Sequence, residues 1–375
     1  MGTAEERAGE LVSSLDGILK APEGRRDVKS ASKTLNMLIR ARNSFDWGLG
    51  ALDTITEAGG DILRSRPHYL NGSLEGLFKC NMDGISKIQK ITRKGRERTA
   101  GYSEHELARY SENEINWLTM FHMRAVDIAN FAAKTQKTFI GEFRWNYHGF
   151  ENALSVADLR SNANRRHSAH YYEIAAAFAD QVYMVSRDVF WQEARLECLM
   201  KAADTFPNNG KAAINRLNRG IAESANEILH ETAGDNLYPT EKKLYFAHML
   251  YHKSGSFVNS GKRDKSIDFK AIALEYLFVL TKDKEYKELQ LKQLEASAVK
   301  HEAKRYNDSI GIYSTLSDIS LRRHFKADDS GLTWESKRHL ADYHRFEAAA
   351  ARLLARHDAK YRSAGAFLAS QSFLA

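Results

Sequence analysis

Among the side chains that work on protons near neutral pH, the histidines following an arginine stand out. In Arg338-His339-Leu340-Ala341-Asp342-Tyr343-His344 a guanidinium could hold phosphate charge while an imidazole moves a proton. Arg338, His339 and His344 are therefore the candidate catalytic residues. Arg165 and His170 offer a second version in Arg165-Arg166-His167-Ser168-Ala169-His170. Metal chemistry would need different sets. His248 and His252 stand four apart, so both could face one ion, and Glu227 with His230 gives one ExxH. No Glu follows His248 and no second ExxH occurs, so the expectation is no metal and no cofactor.

The Arg-His spacing resembles the motif of HEPN-type ribonucleases, helical proteins in which four to six residues separate the two. That resemblance implies metal-independent cleavage of RNA at a site assembled from two motifs. Further pairs fit the spacing: Arg98 with His105, Arg160 with His167, and Arg352 with His357. With 29 arginines and 14 histidines, chance alone supplies about three matches, so spacing does not single one out.

A basic cluster runs from Lys87 to Arg98 and carries Lys87, Lys90, Arg93, Lys94, Arg96 and Arg98. It could track phosphates, and binding by several such contacts would weaken steeply with salt. As a helix end the same charges would complement the macrodipole. The formal net charge of +7 agrees with either reading. No GxxxxGK[ST], GxGxxG or GxSxG is present, which argues against the nucleotide-dependent and hydrolase mechanisms built on those loops.

These residues need elements to position them, and the composition predicts helices. Proline occurs only at Pro22, Pro67, Pro207 and Pro239. Proline removes a donor and clashes with the preceding turn, so its scarcity permits long helices. Helical spacing predicts Ala4 to Lys20, Val28 towards Ile55 with a stop at Gly59-Gly60, and a shorter helix through Leu77, Ile85 and Ile88. Ser103 and Glu106 form a capping box for a helix running through Phe131. From Asn164 the pattern becomes regular, with helices expected at 165–185, 188–206, 212–230, 240–252, 266–280, 284–306, 309–325 and 334–361. A last amphipathic piece carries Phe367 and Phe373.

Thr138 to Phe150 departs from this grammar. Phe139, Phe143, Trp145 and Tyr147 alternate with other residues, as in a strand or hairpin, although an aromatic loop would fit as well. The expected organisation is a helical domain over 1–138, an aromatic junction over 139–163, and a helical-hairpin domain over 164–375. Cys80 and Cys198 make no disulfide framework, and no apolar run is long enough to span a bilayer. Together with an amino terminus lacking a signal-peptide pattern, this predicts a cytoplasmic protein without membrane association.

Residues 174–207 resemble one tetratricopeptide repeat. Ala202 and Val182 occupy family positions and Pro207 closes the unit, whereas Arg195 stands where a small residue is usual and Tyr183 replaces the glycine. The fold expectation is all-α: helical hairpins, tetratricopeptide-like in the second half, with a less regular helical amino-terminal half. The resemblance implies a scaffold or adaptor for a protein or peptide partner. The alternative is a nucleic-acid-binding protein, HEPN-like, with oligomeric state left open.

Overall fold

A computed structural model describes residues 4–21, 27–41, 44, 46–70, 72–97, 110–206, 210–260, 263–301 and 306–357. Among them are fourteen α-helices and no strand. The chain separates into two compact units, residues 1–210 and 211–375.

The first unit contains α1 (Ala4–Lys20), α2 (Val28–Ala41), α3 (Leu49–Ser65), α4 (Leu74–Glu97), α5 (Glu112–Thr135), α6 (Phe139–Arg160), α7 (Arg165–Ser186) and α8 (Val189–Thr205). From α3 onward each helix packs on the next, and α1 lies on α2 and α3. Leu35, Leu52, Ile55, Leu77, Phe121 and Trp145 anchor its core. Burying each such side chain stabilises by roughly 1.5–3 kcal/mol relative to exposure.

The second unit contains α9 (Lys211–Thr232), α10 (Thr240–Lys253), α11 (Arg263–Thr281), α12 (Lys284–His301), α13 (Tyr306–Asp329) and α14 (Thr333–His357). Here too each helix packs on its successor. Tyr313, Leu316, Phe346 and Leu353 centre the core of α12 to α14. The turn from α11 to α12 passes through Lys282 at φ +60°, whose N–H returns to the Phe278 carbonyl at 2.8 Å. This is the left-handed helix ending that usually falls to glycine.

Several expectations need correction. The single helix from Val28 towards Ile55 is two, because Asp46 to Gly48 is non-helical and Gly48 caps α3 in extended conformation. Gly59 and Gly60 do not stop α3. A Cβ on Gly59 would meet the Leu77 side chain at 2.3 Å, so this glycine lets α4 approach closely. The aromatic stretch is neither strand nor hairpin but α6, started by Thr138 Oγ1 accepting the Gly141 N–H at 3.2 Å. Positions 139, 143 and 147 recur every four residues, so the alternation is equally a helical stripe. Ser103 and Glu106 lie outside the described residues, as do Phe367 and Phe373. The capping box that starts α5 is Ser111 with Glu114.

The unit resembling a tetratricopeptide repeat is the α7–α8 hairpin, with Val182 and Ala202 fully buried. Arg195 is accommodated by an ion pair to Asp180, 3.0 Å across the hairpin.

Candidate functional site

Three consecutive helices, α5, α6 and α7, build the most developed concavity. Each starts on a side-chain cap: Ser111 for α5, Thr138 for α6, and Asn164 accepting the His167 N–H at 3.0 Å for α7. Such caps contribute about 1 kcal/mol apiece and fix where each helix begins. Polar ties then hold the three together. The Trp145 indole N–H donates to Gln136 Oε1 at 2.8 Å, binding α6 to the end of α5. His122 Nδ1 on α5 lies 2.7 Å from Asn152 Oδ1 on α6, while the Asn152 amide donates to the His148 carbonyl. The Asn152 oxygen is thus an acceptor for an Nδ1–H tautomer. On the other side of α6, Ser168 Oγ donates to the Ala157 carbonyl and Tyr172 to Asp158.

Aromatic packing fixes the remaining freedom. Trp191 of α8 receives Phe143, Tyr147 and Phe150 of α6 in edge contacts, with centroids 5.4–6.5 Å apart. On α7, Phe178 lies directly on Gly149, where a Cβ would meet its ring at 2.4 Å. Gly149 therefore permits Phe178 to lie low against α6.

The result is a groove of about 750 Å³, lined by α5, α6 and α7. Its apolar surface comes from Val126 and Ala133 on α5 and from Ile174, Ala177 and Phe178 on α7. Asn146 of α6 and Tyr171 of α7 also line it, at 7% and 8% exposure, and neither side chain has a hydrogen-bond partner among the described residues. Asp127 is open to the groove by surface area, yet surrounding atoms desolvate its carboxyl and raise its pKa, an effect Arg64 partly offsets. Burial, then the Asp127 charge, pushes the Tyr171 phenol up to about 12, so it remains a donor at neutral pH. Lys134, Lys137 and Glu142 line the groove as well.

The residues nominated from sequence lie elsewhere. Arg338 and His339 line a cleft of about 740 Å³ formed by α12, α13 and α14. His344 is not part of that lining; six residues on, it sits about 240° around the helix from Arg338. The cleft's charges are partly matched, and Lys284, Lys292, Lys326 and Arg338 are in no ion pair among the described residues. Arg323 pairs with Glu288 at 2.9 Å, and Arg345 with Glu295 and Asp342, each at 3.3 Å. The Arg338 guanidinium lies 5.9 Å from the Trp334 ring centroid. Burial and the charges of Arg323 and Arg338 lower the His339 pKa, against Asp342 and Glu335.

In the basic cluster, Lys87 is bound to Asp46, whose carboxyl this contact holds below its ordinary pKa. Lys90 and Arg93 are exposed on α4. Lys94 and Arg96 continue the helix, but their side chains, like all of Arg98, lie outside what is described. Of the remaining pairs, Arg160 donates to Thr119 and Asn116, and Arg165 and His170 are both exposed. His248 and His252 are exposed beside Tyr286 and Tyr251. Among the described residues no three His, Cys, Asp or Glu side chains gather as metal ligands, and no helix is long and apolar enough to cross a membrane.

The α5–α7 groove was not nominated from sequence. Its signal was present as helical stripes, Val126, Asn130 and Ala133 on α5 and Ile174, Phe178 and Gln181 on α7. Nothing in the spacing said that both stripes face one opening.

No protein-family model matches the chain, and no curated protein does. Among solved structures, a circular tandem repeat protein with novel repeat topology and enhanced subunit contact surfaces aligns with 98% of this chain and 88% of its own. The identity is 13% and the TM-score 0.35, a similarity that transfers neither fold nor function.

Proposed function

We propose that this chain is a helical interaction protein, a scaffold or adaptor, whose α5–α7 groove holds a segment of a protein or peptide partner. One observation carries the reading. Three capped and mutually tied helices present an opening of about 750 Å³ whose apolar wall no other part of the described chain fills. Helical-hairpin proteins use such surfaces to take extended or helical segments, the use the tetratricopeptide resemblance also implies.

The test is selection of random nonapeptides displayed on phage against the purified full chain. Enriched peptides are expected to bind with micromolar Kd, as measured by fluorescence anisotropy. Ala177→Arg puts a charged side chain on the exposed wall and is expected to abolish binding. Leu237→Arg, at a fully open surface position, is expected to leave it unchanged. Absence of enrichment, or binding indifferent to Ala177→Arg, would refute the reading.

A further inference from the structure

Polar side chains that line a groove and have no partner within the protein are free to bond with whatever enters it. In the α5–α7 groove these are the Asn146 amide and the Tyr171 hydroxyl: both residues are more than nine-tenths buried, neither side chain has a hydrogen-bond partner among the described residues, and their polar atoms open onto the cavity. Beside Tyr171 stands Asp127, a carboxylate with no ion pair among the described residues; the Arg64 charge that acts on it is engaged by Asp61 at 2.7 Å. Such a set awaits groups brought from outside.

The kinds of atom define what those groups are. A carboxamide offers a donor and an acceptor side by side, which matches the N–H and C=O of a peptide backbone. An unpaired carboxylate next to a phenol that only donates calls for a cation bearing N–H groups. Lys134 lies seven residues further along α5, about 10 Å at 1.5 Å per residue, and is in no ion pair among the described residues. The groove therefore carries an anionic position at Asp127 and cationic positions at Lys134 and Lys137, with Glu142 also in its lining. An extended chain rising about 3.3 Å per residue spans that interval in three residues. Between these positions, Ile174 and Phe178 offer apolar surface.

From this juxtaposition we infer that the groove binds an extended peptide segment carrying a basic side chain and, about three residues away, an acidic group. The basic side chain meets Asp127 and Tyr171, Asn146 pairs with the backbone, and the acidic group meets Lys134. The inference rests on the groove being the docking surface proposed above, and it adds the chemistry of the occupant.

The same phage library distinguishes the two. Peptides enriched on the native chain are expected to carry Lys or Arg with Asp or Glu three residues away, several-fold above the input frequency. Selection on Asp127→Asn is expected to lose that pattern. The best native peptide should bind Asp127→Asn about tenfold more weakly, with an unchanged circular dichroism spectrum because Asp127 is exposed. Asn146→Ser should weaken charged and uncharged peptides alike by a similar factor, and Asn146→Asp serves as a second variant if the first unfolds. Enriched peptides that lack the charge pattern but still fail on Ala177→Arg would overturn this inference and leave the docking surface standing. No enrichment at all would remove both. Displacement of the selected peptide by an equimolar amount of free lysine would overturn the peptide assignment, making the ligand a small cation.

Discussion

The groove of the first unit and the cleft of the second have nearly equal volumes, about 750 and 740 Å³, but present different groups. In the cleft, Arg323 and Arg345 are closed onto Glu288, Glu295 and Asp342, while Lys284, Lys292, Lys326 and Arg338 are in no ion pair among the described residues. In the groove, Asn146 and Tyr171 open onto the cavity with no hydrogen-bond partner among the described residues, and Asp127 feels the Arg64 charge without an ion pair among them. Volume does not separate a binding site from a gap between helices. The kind of lining does: the groove joins an apolar wall to neutral hydrogen-bonding groups, whereas charged side chains dominate the cleft.

The comparison depends on the groove being held rigidly, and the largest effect should come from loosening it. Trp191→Ala removes the side chain on which Phe143, Tyr147 and Phe150 converge and is expected to destabilise the first unit by about 3–5 kcal/mol in urea unfolding. A loss under about 1 kcal/mol would mean that α6 is positioned some other way. Gly149→Val drives a methyl group into the Phe178 ring and should cost about 1–3 kcal/mol.

Next comes the buried tie between α5 and α6. Burial holds the His122 imidazole below its ordinary value of 6.5, with the Asn152 contact opposing. A depressed histidine stays neutral in the folded protein while the unfolded chain takes up the proton first. Stability is thus full above pH 6.5 and is lost as pH falls through the folded value. The urea midpoint should be lower at pH 5.5 than at pH 7.5, and His122→Gln should flatten that difference. His148, His167 and His339 are lowered as well and act in the same direction.

The smallest effects should fall in the second unit. Lys282→Gly relieves a left-handed backbone and should stabilise by about 0.5–1 kcal/mol. Arg345→Ala should change stability by less than about 1 kcal/mol, because its ion pairs stand in solvent, although the ring of Phe346 loses a cation 4.6 Å away. A large loss there would mean that the cleft's charges are structural, which would sharpen the contrast with the groove.

Much of the scaffold was legible in the sequence. Apolar spacing placed α7 to α10 within one or two residues of their observed ends, since long amphipathic helices repeat their signal. Errors arose where one pattern served two structures. Phe139, Phe143 and Tyr147 satisfy both a two-residue and a four-residue period, so the aromatic segment read as a strand, a hairpin or an aromatic loop rather than as a helix. Gly59 read as a stop because a glycine that admits Leu77 looks like a glycine that ends a helix. The chemistry-bearing spacings were the weakest guide. Arg338 and His344 fit a motif in sequence yet lie on different sides of α14, and only Arg338 and His339 share a cleft. Asn146, in the middle of an aromatic run, carried no mark of its role, because its partnerless state is a property of three packed helices.

The most direct measurement is hydrogen–deuterium exchange of the full chain with and without a saturating selected peptide. Slower exchange is expected in α5 around Val126 to Lys134, in the first half of α6, and in α7 around Tyr171 to Val185, with α12 to α14 unchanged. Protection confined to α12 to α14, or none under saturating peptide, would contradict the assignment of the α5–α7 groove as the docking surface.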